Sequence, residues 1–117
     1  NKINILFVSS FLCLLSMLPL EAEEFKFKAM CYGPGLYGNK TASGIRLSKT
    51  TEGVAHKTWN FGSEITLKYK DKTIRTKVID RGPYAKGVHL DLTEATAKSL
   101  GFKSCREFGS RYLIVEN

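Results

Sequence analysis

The chain has 117 residues, of which 43% are hydrophobic and 25% are charged, and its formal net charge at pH 7 is +7. This length and composition predict a single globular domain and exclude mechanisms that need several large domains. The excess of Lys and Arg favours polyanionic partners. The lysines are scattered over predicted strands, which is typical of solvated strand faces, so no nucleic-acid partner is expected.

The N-terminal segment has the pattern of a secretory signal peptide. Lys2 lies in a short polar start, residues 5–20 form an apolar run, and Ala22 offers a small residue for cleavage. The run of about 16 residues is shorter than the roughly 20 that a membrane-spanning helix needs. We therefore expect a signal peptide at 1–22 and a secreted or periplasmic domain at 23–117, not inserted in the membrane after cleavage. An uncleaved signal anchor is the alternative.

The rest of the chain alternates apolar and polar residues in short stretches, which predicts strands. Asp71 and Lys72 form a predicted hairpin turn. Thr93 is a predicted cap for one short helix at 94–100, which Gly101 ends. Many short strands with one short helix predict a small barrel. The predicted strands are 25–32, 64–70, 73–79, 88–92 and 111–116, with a weaker signal at 45–47.

Three cysteines are present. Cys13 lies in the predicted signal segment, where the preceding Phe11 and Leu12 do not fit a lipid-attachment site. Cys31 and Cys105 can form one disulfide in an oxidising compartment, and two buried free thiols are the alternative. Two cysteines without C-x-x-C spacing do not indicate zinc, so no metal or cofactor is expected.

Asp80 is the first candidate for chemistry. It ends a predicted strand, and Gly82 and Pro83 then turn the chain away. A carboxylate at a barrel rim can be partly desolvated, which raises its pKa and suits it to donating a proton. The alternative is a turn aspartate that caps its own backbone or pairs with Arg81.

A histidine, a second carboxylate and several aromatic residues lie near the same chain breaks. His56 can orient a carboxylate or contact a sugar hydroxyl, and a structural histidine is the alternative. Asp91 precedes the helix cap, so a helix-start carboxylate is its alternative reading. Tyr32 and Tyr84 have rings that suit the flat faces of sugars, whereas Trp59 is equally typical of a core residue.

Six short motifs, in this order, resemble the bacterial rare lipoprotein A (RlpA) family. They are Tyr32-Gly33-Pro34-Gly35, Thr41-Ala42-Ser43-Gly44, Val54-Ala55-His56-Lys57-Thr58, Phe61-Gly62, Asp80-Arg81-Gly82-Pro83-Tyr84 and Asp91-Leu92-Thr93. Each motif alone is weak, but their joint order and spacing over about residues 29–102 are specific. The resemblance implies a mainly β fold, a six-stranded double-psi β-barrel, with kinship to expansins and barwin-like proteins.

The resemblance also implies an activity, since that family is described as cleaving peptidoglycan glycan strands lytically. Its functional aspartate falls on Asp80 and its motif histidine on His56. The stretch that begins at Asp91 is similar to an expansin motif in the glycan groove. The residues expected to bind substrate are Asp91, Tyr32, Tyr84 and Thr41.

The chain departs from the family pattern at two places. Ile45 stands where a glutamate usually follows the glycine of the Thr-Ala-x-Gly motif, and Ser43 and Phe61 replace two frequent cysteines. Hydrolysis normally uses two carboxylates. A lytic reaction needs one, because the C6 hydroxyl of muramic acid attacks intramolecularly. The missing glutamate therefore argues against hydrolysis more than against lytic cleavage.

The leading expectation is a monomeric lytic transglycosylase acting on peptidoglycan or another cell-wall polysaccharide, with Asp80 as acid and base. A non-catalytic glycan-binding or wall-loosening module and a barwin-type defence protein are the alternatives. We expect Asp80, His56 and Asp91 to converge on one open groove, with Asp80 the least solvated. Tyr32 and Tyr84 are expected to flank that groove, and Ile45 to leave an apolar spot on its rim.

Overall fold

The computed structural model describes residues 22–117, so the predicted signal peptide lies outside the described residues except for Ala22. No helix in this part of the chain is long and apolar enough to cross a membrane. Residues 22–117 form six strands and two short helices. They are β1 (Glu24–Tyr32), β2 (Val54–Ala55), β3 (Glu64–Tyr69), β4 (Lys72–Asp80), β5 (Leu90–Thr93), α1 (Glu94–Ser99), α2 (Cys105–Phe108) and β6 (Arg111–Glu116).

The six strands close into a barrel in the order β1-β5-β2-β4-β3-β6. β1 is parallel to β5 and β2 is parallel to β4, whereas the other four pairings are antiparallel. Full closure leaves no edge strand unpaired. The predicted closed six-stranded barrel is confirmed.

The barrel interior is filled by alternate residues of the strands, as the apolar–polar alternation predicted. Burying an aliphatic side chain of this size contributes about 1.5–3 kcal/mol, so the interior accounts for much of the fold's stability. Ala97 and Leu100 from the α1 region and Phe108 from α2 pack against this core. Fully buried strand residues include Val54, Ile65, Leu67, Val78, Leu90, Leu92, Leu113 and Val115.

Four local features differ from the sequence-based expectations. β2 was not predicted, because two residues are too short to show alternation. The weak strand signal at 45–47 yields only an isolated bridge between Lys40 and Arg46. The β3–β4 turn is shifted by one residue, since Tyr69 pairs with Lys72. A second short helix, α2, is capped by the Ser104 side chain, which accepts the Glu107 N–H.

A disulfide joins the two ends of the domain. The Cys31 and Cys105 sulfurs are bonded, and the Cα atoms lie 5.1 Å apart with a sequence separation of 74 residues. Cys31 lies near the end of β1 and Cys105 begins α2. The bond therefore fixes α2 against the strand that carries Tyr32.

His56 lies in an aromatic cluster with Phe25, Phe27, Trp59 and His89. Its ring stacks on Trp59 with centroids 3.9 Å apart and an interplanar angle of 11°. Its Nδ1 accepts the backbone N–H groups of Thr58 at 3.1 Å and of Trp59 at 3.0 Å. Burial, followed by the charges of Arg81, Lys57 and His89, lowers the pKa of His56. The folded state therefore favours the neutral imidazole.

Removing the disulfide is predicted to destabilise the domain by about 2–4 kcal/mol, because the unfolded chain gains the freedom of a long loop. The measurement is urea unfolding of the oxidised protein with and without reductant. The double variant Cys31→Ser, Cys105→Ser should have the same unfolding midpoint as the reduced protein, and reductant should not change that midpoint. An unchanged unfolding midpoint after reduction would show that the bond contributes nothing.

His56 is predicted to titrate below its ordinary pKa of about 6.5. As the pH falls through this value, the unfolded state takes up the proton before the folded state, so stability is lost down to the lowered folded pKa. The NMR titration of the imidazole and urea unfolding between pH 7 and 5 measure both effects. His56→Asn keeps an acceptor near the Nδ1 position and should remove most of the change in stability between pH 7 and 5.

The matched control is His89→Asn, since His89 is exposed and its Nδ1 accepts the Lys28 N–H at 3.2 Å. This variant should retain most of the loss of stability below pH 6.5. If stability does not change with pH in the control, or still falls steeply with pH in His56→Asn, another group causes the pH dependence.

Candidate functional site

Asp80 reaches the outer face of the barrel through an irregularity in strand pairing. Val54 pairs with Val78 and Ala55 pairs with Asp80, so β4 contributes one extra residue, Ile79, between the two pairs. Val78 is fully buried in the interior, and strict alternation would direct Asp80 inward as well. The extra residue shifts the alternation by one and places Asp80 on the outer face, together with Ala55.

Asp80, Ala55 and Asp91 form a row across three neighbouring strands. Ala55 pairs with Asp80 on one side and with Asp91 on the other, and Met30 of β1 continues the row beyond Asp91. Strands lie about 4.8 Å apart, so the two aspartate Cα atoms are separated by roughly 10 Å. Ala55, which is buried, lies between the two aspartates in this row.

The two carboxyl groups interact electrostatically. Burial, and secondly the negative charge of Asp80, raise the pKa of Asp91. Burial thus hinders the solvation of the Asp91 carboxyl group, which sequence reasoning did not single out, and the expectation that Asp80 is the least solvated stays a prediction. Asp91 lies between two fully buried leucines of β5, whereas Asp80 lies at the end of its strand.

One oxygen of Asp80 is fixed by backbone donors. Its Oδ1 accepts the N–H groups of Ala42 and Arg81, each at 2.9 Å. Ala42 lies in a turn in which the Gly44 N–H donates to the Thr41 carbonyl, and Gly44 adopts a φ of 94° that favours glycine. The Ser43 N–H donates to a carbonyl of β4, so the turn docks on the end of that strand.

A cavity of about 170 Å³ opens beside Asp80. The Tyr32 hydroxyl is buried near the acceptor oxygens of Asp80, although no hydrogen bond of regular geometry joins it to any of the described residues. Burial, and then the nearby charge of Asp80, raise the pKa of Tyr32, so the phenol keeps its proton. The cavity thus combines a carboxylate with an O–H donor. Its lining residues are Tyr32, Leu36, Asn39, Lys40, Thr41, Leu47 and Asp80.

The structure does not bring the His56 ring to the Asp80 carboxylate. Ala55 and His56 are successive residues, so their side chains leave the chain on opposite sides, and the imidazole enters the aromatic cluster. The direct contact between the two residues is a backbone one, because the His56 N–H donates to the Asp80 carbonyl at 3.1 Å. The expected orientation of Asp80 by the His56 side chain is therefore not present. Trp59, left open as sugar platform or core residue, is half-buried in this cluster.

Arg81 connects the loop after β2 to the end of β4. Its guanidinium donates to the Trp59 carbonyl at 2.8 Å and to the His56 carbonyl at 3.3 Å, and lies 3.9 Å from the centroid of the Phe61 ring. Its side chain thus points away from Asp80, and no Asp80–Arg81 ion pair forms among the described residues. Sequence reasoning gave this residue no positioning role.

The remaining predicted residues are distributed around the site. The Thr41 hydroxyl donates to the Ile45 carbonyl at 2.7 Å, so it builds the turn although Thr41 also lines the cavity. Ile45 is 49% exposed and adds an apolar side chain next to the docked turn, but it does not line the cavity. Tyr84 is 84% exposed and lies against Gly82.

Comparison with known proteins identifies the family. The model of the family described as "Lytic transglycolase" matches residues 29–111. A probable endolytic peptidoglycan transglycosylase RlpA of Aquifex aeolicus is 44% identical over 75 residues, which cover 62% of this chain and 33% of that protein. The chain thus spans about a third of the length of this relative.

Solved structures share the fold at low sequence identity. The Streptomyces papain inhibitor superposes with a TM-score of 0.62 at 17% identity, covering 82% of this chain and 94% of that one. A mutant Clavibacter michiganensis expansin in complex with cellohexaose has a TM-score of 0.60 at 17% identity, covering 80% of this chain and 49% of that one. Together with the family match, the closed mixed barrel shows that the chain belongs to the lytic transglycolase family as an RlpA-like double-psi β-barrel.

Proposed function

We propose that this domain acts on cell-wall peptidoglycan outside the cytoplasm and cleaves its glycan strands lytically, with Asp80 as acid and base. The observation that carries the proposal is the Asp80 carboxylate, fixed by two backbone donors at the wall of a cavity that also contains the Tyr32 hydroxyl. The family match and the peptidoglycan transglycosylase relative support this substrate class.

The geometry suits a reaction that needs one carboxyl group. Because both backbone donors bind Oδ1, Oδ2 is the oxygen that can carry a proton to the bridging glycosidic oxygen. The bond from the anomeric carbon of muramic acid to that oxygen breaks, and the C6 hydroxyl of the same sugar attacks the anomeric carbon. Asp80 then takes the hydroxyl proton, so a 1,6-anhydro ring forms and no water is consumed.

Tyr32 and Asp91 have supporting roles in this proposal. The Tyr32 O–H keeps its proton and donates to a sugar oxygen in the cavity. Asp91, on the far side of Ala55, accepts hydrogen bonds from hydroxyl groups of the neighbouring sugar along the row. The exposed ring of Tyr84 offers an apolar platform at the outer side.

His56 acts in this proposal as a positioning residue. Its Nδ1 holds the backbone at Thr58 and Trp59, and the carbonyls of His56 and Trp59 receive the Arg81 guanidinium. Arg81 is the neighbour of Asp80 and donates its own N–H to the carboxylate. The His56 ring thus holds the loop after β2 in place, and two carbonyls of that loop hold the Arg81 side chain.

A non-catalytic glycan-binding module is the second candidate. Ile45 occupies the position of the usual family glutamate and presents a half-exposed apolar side chain beside the docked turn. A site without that carboxylate can bind a glycan along the Asp80–Ala55–Asp91 row without cleaving it. The expansin neighbour, whose solved structure contains cellohexaose, has the same fold.

Asp80→Asn is predicted to lower the release of anhydro-muropeptides at least about 100-fold, because the amide cannot exchange the proton. Glycan binding should be largely unchanged, since the amide oxygen still accepts both backbone N–H groups. Digestion of purified peptidoglycan with mass detection measures cleavage, and sedimentation with insoluble wall measures binding.

The matched control is Asp71→Asn in the exposed β3–β4 turn, which should cleave like the wild type. If wild type and Asp80→Asn both bind the wall equally and release nothing, the glycan-binding module is the correct function. If Asp80→Asn cleaves as fast as the wild type, another residue is the acid.

Asp80→Asn is also predicted to lower the pKa of Asp91, because the negative charge that raises it is removed. The pKa should stay above the ordinary aspartate value, since burial remains the larger cause. An NMR titration of the side-chain carboxyl carbons measures the shift, and Asp71→Asn should leave the pKa of Asp91 unchanged. An unaltered titration in Asp80→Asn would place the two carboxyl groups too far apart to form one site.

A further inference from the structure

The cavity beside Asp80 is built mainly by one loop, residues 33–47, here named the cavity loop. Five of the seven cavity-lining residues belong to it, namely Leu36, Asn39, Lys40, Thr41 and Leu47. Its tip is attached to β4, because the Ala42 N–H donates to Asp80 Oδ1 at 2.9 Å and the Ser43 N–H donates to the Ile79 carbonyl at 3.2 Å. The position of this loop therefore decides the shape of the cavity.

The loop is stiffened internally by backbone pairing. The Gly38 N–H donates to the Leu47 carbonyl at 2.8 Å, and the Leu47 N–H donates to the Asn39 carbonyl at 2.8 Å. The Arg46 guanidinium also donates to the Gly38 carbonyl. A loop paired in this way moves as a unit, so an attachment near its start also controls its tip.

Tyr37 provides this second attachment. Its hydroxyl donates to Glu94 Oε1 at 3.1 Å. Its ring lies on Gly33, where a Cβ atom would be 3.2 Å from the ring and the φ of +143° also favours glycine. The absence of a side chain at residue 33 lets the ring lie flat against the backbone and reach the helix.

Glu94 joins three parts of the domain through one carboxylate. It is the first residue of α1, its Oε1 accepts the Tyr37 hydroxyl, and its Oε2 accepts the Cys105 N–H at 3.2 Å. Cys105 is held in turn by its disulfide to Cys31, the residue before Tyr32. Hydrogen bonds to a charged acceptor are stronger than those between neutral groups. Lys98, 4.0 Å from the same carboxylate, adds only an exposed ion pair.

We propose that Glu94 is a positioning residue of the site: by holding Tyr37 to the start of α2, it keeps the cavity loop docked so that Ala42 stays bonded to Asp80. The effect on catalysis rests on the proposed function, whereas the effect on the loop does not. Glu94 touches neither the cavity nor the carboxylate of Asp80.

The test compares Glu94→Gln, Tyr37→Phe and the double variant in the oxidised protein. Gln keeps the size of the side chain but offers one acceptor oxygen for two donors, and Phe removes the hydroxyl. Amide hydrogen exchange at Gly38 and Ala42 should become roughly two- to tenfold faster, the equivalent of one lost hydrogen bond. Amides of the barrel strands, such as Leu67, should be unchanged, and the two changes should not add.

Ser99→Ala is the matched control, because it removes a hydrogen bond from the same helix to Glu52 without touching Tyr37. Loop exchange in this variant should equal that of the wild type. Unchanged loop exchange in both Glu94→Gln and Tyr37→Phe overturns the proposal. If Glu94→Gln is too unstable to measure, Tyr37→Phe alone decides.

Turnover on purified peptidoglycan separates positioning from a merely structural role. Glu94→Gln and Tyr37→Phe should lower kcat about three- to tenfold, with a smaller change in binding to insoluble wall, because Asp80 and not the glycan contacts loses its fixed orientation. Faster loop exchange with unchanged kcat overturns the role in the site. A wild type that releases no anhydro product refutes the proposed function, and the exchange data then still decide whether Glu94 holds the loop.

Discussion

The extra residue in β4 at its pairing with β2 is the constraint on which the site depends. With regular pairing, Asp80 would follow Val78 into an interior filled by aliphatic side chains, where an unpaired carboxylate costs several kcal/mol or takes up a proton. With Ile79 inserted, the same carboxylate lies outside, beside Ala55 and in line with Asp91. Barrel closure then fixes the distance between the two carboxyl groups, because both are carried by hydrogen-bonded strands.

The cavity loop adds what the strands cannot provide. It brings the Ala42 N–H to Asp80 Oδ1 from 38 residues earlier in the chain, and together with Tyr32 it lines the cavity. The barrel attaches this loop twice, at the end of β4 and at the start of α1. The disulfide contributes at the second attachment, since it holds the helix whose first N–H binds Glu94. Stability and site geometry are therefore coupled through α1 and α2.

The two histidines show how a motif residue can act at a distance. His56 is stacked on Trp59, its Nδ1 accepts two backbone N–H groups, and among residues 22–117 no hydrogen bond joins its ring to the Asp80 carboxylate. Its link to Asp80 runs through the backbone and through Arg81. His89 stacks on Phe27 at the same cluster, with centroids 5.1 Å apart. A change at His56 is thus expected to alter loop geometry and pH-dependent stability together.

The sequence alone determined the strand pattern, the position of α1, the chain breaks around Asp80 and the family resemblance, because alternation, capping residues and glycine-rich motifs are local signals. β2, with only two residues, gave no periodic signal and was missed. The tertiary structure decided the rest. The Asp80 side chain points outward because of the pairing between β2 and β4, and the His56 side chain points to the opposite side because of that same register. The donors to Asp80 and Glu94 are largely backbone N–H groups, which every residue type except proline carries. No residue pattern could therefore have revealed them, and only the folded chain brings them to their acceptors.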